Sequence, residues 1–556
     1  MTTEDTLDLP PFSARPLRRT AVLDDAHLGD IHGALGSIAE DDLGDRTSWR
    51  RRLTTLLAIL GPGLIVMVGD NDAGAFGTYT QAGQNYGSSL LWILLLLVPV
   101  LYVNQEMVLR LGAVTGVGHA RLILARFGKF WGAFSVIDLF VLNALTIVTE
   151  FIGVSLALDY LGIPKVGGVI ISALLVIGAA STGNFRRFER FSLILVAGSL
   201  LLVPVFLAVH PPLGEVARNL VTPSLPKGAR LSEVMLLIIA IVGTTIAPWQ
   251  LFFQQSYVVD KRITPRFIAY EKLDLWIGIT LVLIGAVAMM AFSAEAFRGA
   301  AQFGHYTDAA GTAAGLEKCA GRTVGVLFAV ALLDASIIGA SAVSLSTAYA
   351  VGDVLSLKHS LHRKATDAKG FYLIYGGLIA LSAALVLAPG TPLGLLTNAV
   401  QTLAGVLLPS ATVFLLLLCN DRAVLGPWVN SNRTNLFTGA VIAVLVVLSI
   451  ILTGSVLFPG MGSGDMLAIL GGGLAIALGG WIATGLLKVR QGEDPIDRSG
   501  RATWRMPPLE TLAPKPLTAL SRTWMFVLRG YLILAAGLVL FRIVQLALGH
   551  HGVGGG

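Results

Sequence analysis

Cysteine is nearly absent from this chain, with two residues in 556, so neither a disulfide framework nor a cysteine-rich metal site can organise it. Charge is scarce as well: Asp, Glu, Lys and Arg make up 13% of the sequence, about half the share of an ordinary soluble domain. The nine histidines, at 27, 32, 119, 210, 305, 359, 362, 550 and 551, all fall outside the middle of apolar runs. No Walker loop or other phosphate-cradling motif occurs, and no polar stretch is long enough for a catalytic domain. These absences argue against an enzyme, an ATP-driven pump and any resident cofactor.

Hydrophobicity takes their place. Hydrophobic residues make up 54% of the chain and the mean hydropathy is +0.74. Apolar runs long enough to span a bilayer, which takes about 20 residues each, fall at 54–69 with 74–85, 88–109, 132–158, 166–182, 189–209, 232–260, 273–294, 324–355, 372–389, 393–418, 434–457, 465–487 and 524–547. The pattern predicts an all-α polytopic membrane protein of thirteen spans. Most of the 40 Lys and Arg fall in the segments on one side of these spans, which the positive-inside rule makes cytoplasmic together with the N-terminus. The +6 net charge reflects that bias and predicts no nucleic-acid partner. An integral protein of the cell inner (plasma) membrane is expected, with the lipid bilayer as its surroundings and no protein partner evident.

The first fifty residues are polar and carry no apolar segment with a cleavage site, so 1–52 is expected to be a disordered cytoplasmic tail. Cys319 and Cys419 fall on opposite sides of the membrane and are expected to be free thiols. Residues 488–523, with Pro507, Pro508, Pro514 and Pro516, read as a cytoplasmic linker to a last helix and short tail at 524–556. The basic runs RRFER at 186–190 and KHSLHRK at 358–364 read as cytoplasmic anchors, and Glu106 and Arg110 as an i, i+4 ion pair.

Two of the apolar runs are interrupted at mid-depth, by GDNDAGAFG at 69–77 and GTTIAPWQ at 243–250. Hydrocarbon offers no water to free backbone groups, so unwound helix survives there only where it lines a cavity or holds a ligand. In transporters built from inverted repeats, a pair of interrupted spans at matching places marks the substrate site. An Asp at membrane depth, where insertion costs about 2.5–3.5 kcal/mol, favours a cation as that substrate.

The blocks GPGLIVMVGDNDAGAFGTYTQAGQNYG, LGAVTGVGHAR, TEFIGVSLAL, GTTIAPWQLFFQQS, the stretch from Leu396 to Pro409 and NDRAVLGPWVNSNRTN together resemble the natural resistance-associated macrophage protein (Nramp) family of divalent-metal transporters. The resemblance implies a LeuT-like fold, two inverted five-helix repeats over 53–418 with helices one and six unwound around a central site. About three additional C-terminal helices follow, two of them accessory spans within 419–487. The family's Asp-Pro-Gly-Asn motif falls on Asp72, Ala73, Gly74 and Ala75, and its Met-Pro-His-Asn motif on Ala247, Pro248, Trp249 and Gln250. A further family ligand, a Gln in the tenth span, falls on Gln401. The third-span Asp of the family aligns with Ile147, while the Glu three residues later is kept as Glu150; the sixth-span histidines align with Trp249 and Gln254.

The family's carboxylate is therefore kept, while its Asn, its thioether and most of its titratable groups are replaced. The donors that remain are Asp72, with Asn71 and Asp70 beside it, backbone near Gly69 and Thr244, and the amides of Gln250 and Gln401. All are oxygen donors, which suit Mg, Ca and Mn, whereas a thioether suits softer metals. Ala75 and Ala247 widen the cavity, so an ion can keep part of its water shell, as Mg²⁺ prefers. This resembles the Nramp-related magnesium transporters, and implies a secondary transporter of Mg²⁺ and Mn²⁺, working by alternating access without a proton relay of the usual family kind.

Other readings of the same residues stand beside these. Asp70 and Asp72 also suit helix caps at a structural break, Glu150 a hydrogen-bonded packing residue instead of part of a proton or cation pathway, and Trp249 mere bulk. At the level of function the alternatives are a proton-coupled Mn²⁺/Fe²⁺ importer and a non-transporting metal sensor or signalling membrane protein.

Overall fold

The computed structural model describes residues 21–388, 393–458, 461–491 and 504–515, with isolated residues between 498 and 541. Ten helices build the first half: α1 (Trp49–Ile59), α2 (Pro62–Val68), α3 (Ala73–Tyr86), α4 (Leu91–Thr115), α5 (His119–Phe127), α6 (Lys129–Leu161), α7 (Lys165–Ala180), α8 (Phe185–Gly198), α9 (Leu202–Val209) and α10 (Leu213–Val221). The second half runs through α11 (Leu231–Thr245), α12 (Pro248–Asp260), α13 (Ile268–Ala296), α14 (Ala309–Ala320), α15 (Arg322–Leu355), α16 (Lys369–Leu387) and α17 (Leu393–Cys419). After it come α18 (Arg422–Leu425), α19 (Asn432–Leu457) and α20 (Ser463–Gln491).

Among the described residues, eight helices or helix runs are long and apolar enough to cross a bilayer, and up to ten if two bent pairs each count as one span. The expected span at 166–182 appears as the shorter apolar helix Lys165–Ala180, and the expected span at 465–487 lies within α20. Most of the last expected span, 524–547, and half of the linker before it lie outside the described residues. Cys319 is exposed, Cys419 is buried and both are free, and Arg110 holds Glu106 at 3.0 Å as expected.

Both interrupted spans are broken where local chemistry dictates. Helix α2 stops at Gly69, and α3 restarts at Asp72, whose Oδ1 accepts the free N–H of Ala75 at 2.9 Å, an ordinary N-cap. Helix α11 ends at Thr245, Ile246 and Ala247 leave the helical region, and α12 restarts with Pro248 at its first turn. Proline has no N–H to give and its fixed φ suits that position alone.

The two halves interlock across the bundle. Helix α6 packs along α15, and α13 packs on α2, α3 and α4, while α11 leans on α17 and α12 on α4 and α15. The third span thus meets the eighth, the second meets the seventh, and both broken spans lie inside.

Residues 21–48 depart from the disorder expected of 1–52, of which 1–20 lie outside the described residues. Residues 25–27 form a 3-10 helix, and β1 (Ile31–Gly33) pairs antiparallel with β2 (Gly36–Ile38) in a hairpin. Among the described residues this hairpin is a small exception to an otherwise all-α fold. It is ordered by contacts with the bundle, where its partners lie far away in sequence.

Candidate cation site

Two half-helix junctions face one another, and each supplies one side of the site. Asp70 and Asp72 are 0% and 4% exposed. One Asp70 oxygen, Oδ1, accepts from Gln250 Nε2 on α12, and Gln250 Oε1 in turn accepts from Gln105 Nε2 on α4 at 3.0 Å. The first break is therefore tied to the second through Gln250, and to the second span through Gln105. A second tie joins α3 to α11, where the hydroxyls of Tyr79 and Thr245 meet at 2.7 Å.

Asp72 faces α6 and α17. Its carboxyl lies beside Glu150, whose Oε2 accepts the N–H of Ala73 at 3.2 Å. Gly339 on α15 makes room for this pair: a Cβ there would lie 2.7 Å from Glu150 Oε2 and 3.0 Å from the Asp72 Cβ. Gln401 reaches over Gly74, where a Cβ would overlap its Nε2 and would lie 3.1 Å from Asp72 Oδ1. Glycine at 74 is thus what lets the tenth-span amide approach the first break.

The expected site residues divide accordingly. Asp70, Asp72, Gln250, Gln401 and Glu150 converge on the two breaks. Trp249 is buried at 1% exposure with its ring edge above Gly69, and its carbonyl accepts from Ser346 Oγ at 2.9 Å, so it walls the junction. Ala73, Ala75, Ala247 and Pro248 line it as small or ring-closed groups. Thr244 is buried beside it. Asn71 points elsewhere: its Nδ2 donates to Val282 O of α13 at 3.1 Å, fastening the break to the seventh span.

Several polar atoms here have no protein partner: Asp70 Oδ2, Asn71 Oδ1, Glu150 Oε1, Thr244 Oγ1 and both amide atoms of Gln254. Buried polar atoms left over in this way ordinarily meet water or an ion. Among the described residues no Lys, Arg or His pairs with Asp70, Asp72 or Glu150. Three acidic side chains without a cationic partner make this a candidate place for a cation. No group of three or more His, Cys, Asp and Glu among the described residues has the arrangement of a preformed metal cage. The donors on offer are carboxylate, amide and backbone oxygens.

Sequence reasoning missed Gln105, Tyr79, Thr245 and Gly339. Gln105 carried a signal, an amide inside an apolar run, and Tyr79 another, two turns along from Asp72 on the same helix face. Gly339 carried none, because its role exists only through the approach of α6.

The chain matches the family model described as natural resistance-associated macrophage protein-like over residues 63–455. It is 31% identical over 433 residues to the divalent metal cation transporter MntH of Ralstonia nicotianae, covering 74% of this chain and 93% of that one. The MntH of Latilactobacillus sakei is 28% identical over 426 residues, covering 72% and 89%. Among solved structures the chain is similar to the Eremococcus coleocola manganese transporter, with a TM-score of 0.59, 21% identity, and coverage of 84% of this chain and 99% of that one. That likeness shows the shared LeuT-like fold.

Proposed function

The chain belongs to the Nramp-like family, a family of metal-ion transporters and not of enzymes, and from that premise we propose that it carries Mg²⁺ and Mn²⁺ across the membrane by alternating access. Divalent metal transport comes with the family. The choice of hard cations is the further step. One observation carries it: Ala247 occupies the start of α12, where the family pattern has a thioether. Without a soft ligand, Asp72, Gln401, Asp70 and Gln250 leave only oxygen donors, together with backbone near Gly69 and Thr244. Carboxylate, amide and water oxygens favour Mg and Mn over softer metals.

The small side chains of Ala75 and Ala247 suit an ion that keeps several waters, as Mg²⁺ does when it binds through one or two carboxylates. The Lys and Arg distribution supports a cytoplasmic N-terminus, and with it a cytoplasmic face carrying residues 21–48. The bacterial relatives point to the plasma membrane. In this orientation the membrane potential assists inward cation movement by about 2.3 kcal/mol per unit charge per 100 mV.

A second reading, proton-coupled import of Mn²⁺ or Fe²⁺, is favoured by a single contact. The side chains of Asp72 and Glu150 both lie against Gly339, where two neighbouring carboxylates repel and favour holding a proton, and a cation arriving at Asp72 would displace it. Flux of Mg²⁺ and Mn²⁺ into proteoliposomes, with internal pH recorded, separates the readings. Mg²⁺ entry without acidification supports the first. Mn²⁺ entry with acidification and no Mg²⁺ competition would replace it with the second.

A further inference from the structure

The N-terminal segment makes a set of contacts that cation binding does not use, and they join elements that alternating access must separate. Asp24 receives the Arg363 guanidinium on both oxygens, Nε at 2.9 and 3.0 Å, and accepts the N–H of His359 at 3.1 Å. His27 is wedged between the carbonyl of His359 at 3.0 Å and Asp260 Oδ1 at 3.4 Å. These contacts grip the loop after α15 and the end of α12. Arg262, just past α12, donates to Ala26 O at 3.0 Å and Asp30 O at 2.9 Å.

The hairpin holds a third element. Arg190 of α8 donates to Ala34 O at 3.0 Å, and the N–H of Ala34 donates to Glu189 Oε2. The other Glu189 oxygen holds Lys261 Nζ at 2.6 Å, and Lys261 donates as well to Ile59 O and Leu60 O at the end of α1, at 2.7 and 2.8 Å. This buried ion pair is thus roofed by the hairpin tip. The hairpin sits on α1 so closely that a Cβ on Gly33 would overlap Ala58 O, and α1 runs through a 52° bend into α2. Hairpin, α1 and α2 therefore form one body, fastened by its edges to α8 and to the loop after α15.

We propose that residues 21–48 are a strap that locks the cytoplasmic gate, and that it must leave α8 and the loop after α15 before a cation can pass from the site into the cytoplasm. The inference rests on the transport reading, in which the inner half-helices part from their neighbours around a fixed site. The basic runs at 186–190 and 358–364 gain a role in this account, since the first supplies the strap with the side chains of Glu189 and Arg190 and the second with Arg363 and the backbone of His359.

The test tethers the strap. Ala34→Cys and Arg190→Cys are combined in a Cys319→Ser background, joined by a thiol-cleavable bismaleimide and reconstituted for Mn²⁺ uptake. At least a tenfold loss of uptake is expected on cross-linking, with recovery when reductant cleaves the linker. Undiminished uptake by the cross-linked protein would overturn the strap while leaving the transport reading intact. Inactivity of the uncross-linked double variant would bear on transport, so a second measurement needs no flux. In Asp24→Ala, cytoplasmic labelling of Ser256→Cys, which lies under Leu23 and His27, should quicken several-fold. An unchanged labelling rate would equally overturn the proposal.

Discussion

Replacing Asp72 by Asn separates two tasks that fall on one side chain. Asp72 Oδ1 caps α3 through Ala75 N at 2.9 Å, and Asn is as good an N-cap as Asp, so Asp72→Asn should cost the fold only a few tenths of a kcal/mol. The charge is lost, and an amide N–H₂ now points where the second oxygen lay. Removing one partner of a buried, hydrogen-bonded charge pair costs about 2–5 kcal/mol. The low end applies here because Asp70 and Glu150 remain in place. About 2–3 kcal/mol corresponds to roughly a 30- to 150-fold weaker cation affinity at about 1.4 kcal/mol per tenfold. Titration calorimetry with Mn²⁺ and Mg²⁺, beside proteoliposome uptake and a melting curve, reads all three quantities. An unchanged melting temperature with weakened binding is the expected pattern. Binding within twofold of the parent would refute Asp72 as a ligand, and Asp72→Ala, which also loses the cap at about 1 kcal/mol, could not make that distinction alone.

Ala247→Met places a thioether at the start of α12 and should shift the uptake ratio of Fe²⁺ or Cd²⁺ to Mg²⁺ by about tenfold, following ligand softness; competition uptake measures it, and an unchanged ratio counts against the thioether argument. Gly339→Ala sets a Cβ 2.7 Å from Glu150 Oε2, so stability should fall by about 1–3 kcal/mol for overpacking and uptake should fall with it; a variant with parental melting and flux would show that α6 yields freely. His27 faces Asp260, Asp24, Asp353 and His359, and its burial, which outweighs the pull of Asp260, holds its pKa below the ordinary 6.5. A released strap therefore binds the proton first, so the grip is full above about pH 6.5 and weakens as pH falls below it. Asp24, whose burial is outweighed by Arg363, sits at about 2, and His359, where Asp353 outweighs burial, at about 9, so neither changes charge between pH 5.5 and 7.5. Labelling of Ser256→Cys should accordingly quicken at pH 5.5, and a flat profile would remove His27 from the grip.

The interruptions in the first and sixth spans were legible because Gly, Asp and Pro inside an apolar run have few explanations in a membrane. The partners of those interruptions were less so. Gln250 and Gln401 stood out through a family pattern, and that pattern says nothing of Gln105, which reaches Gln250 from another span. Asn71 shows where adjacency misleads: in unwound backbone, neighbouring side chains diverge, and this one fastens to α13. The strap was not legible at all. Residues 21–48 show little hydrophobic periodicity, and their order comes from partners such as Arg363, 339 positions from Asp24. Local sequence cannot report contacts at that separation, so a polar segment reads as a tail until its distant partners are in view.

The pattern of occupied oxygens bears on which ion fits. Asp72 Oδ1 caps α3, Asp70 Oδ1 accepts from Gln250 and Glu150 Oε2 accepts from Ala73 N, so each carboxyl group has one oxygen already engaged. A cation binding without rearrangement would find roughly one oxygen on each, plus amide and backbone carbonyls. An octahedral ion with oxygens at about 2.0–2.1 Å can fill its remaining positions with water, and Mg and Mn share that preference for oxygen octahedra. Ca²⁺ takes about six to eight ligands at longer range, which a site with so few free protein oxygens serves poorly. On the proposed reading, selection among divalent ions then follows from how many waters the junction between Trp249, Ala247 and Ala75 admits. The carboxylates supply attraction common to all of them.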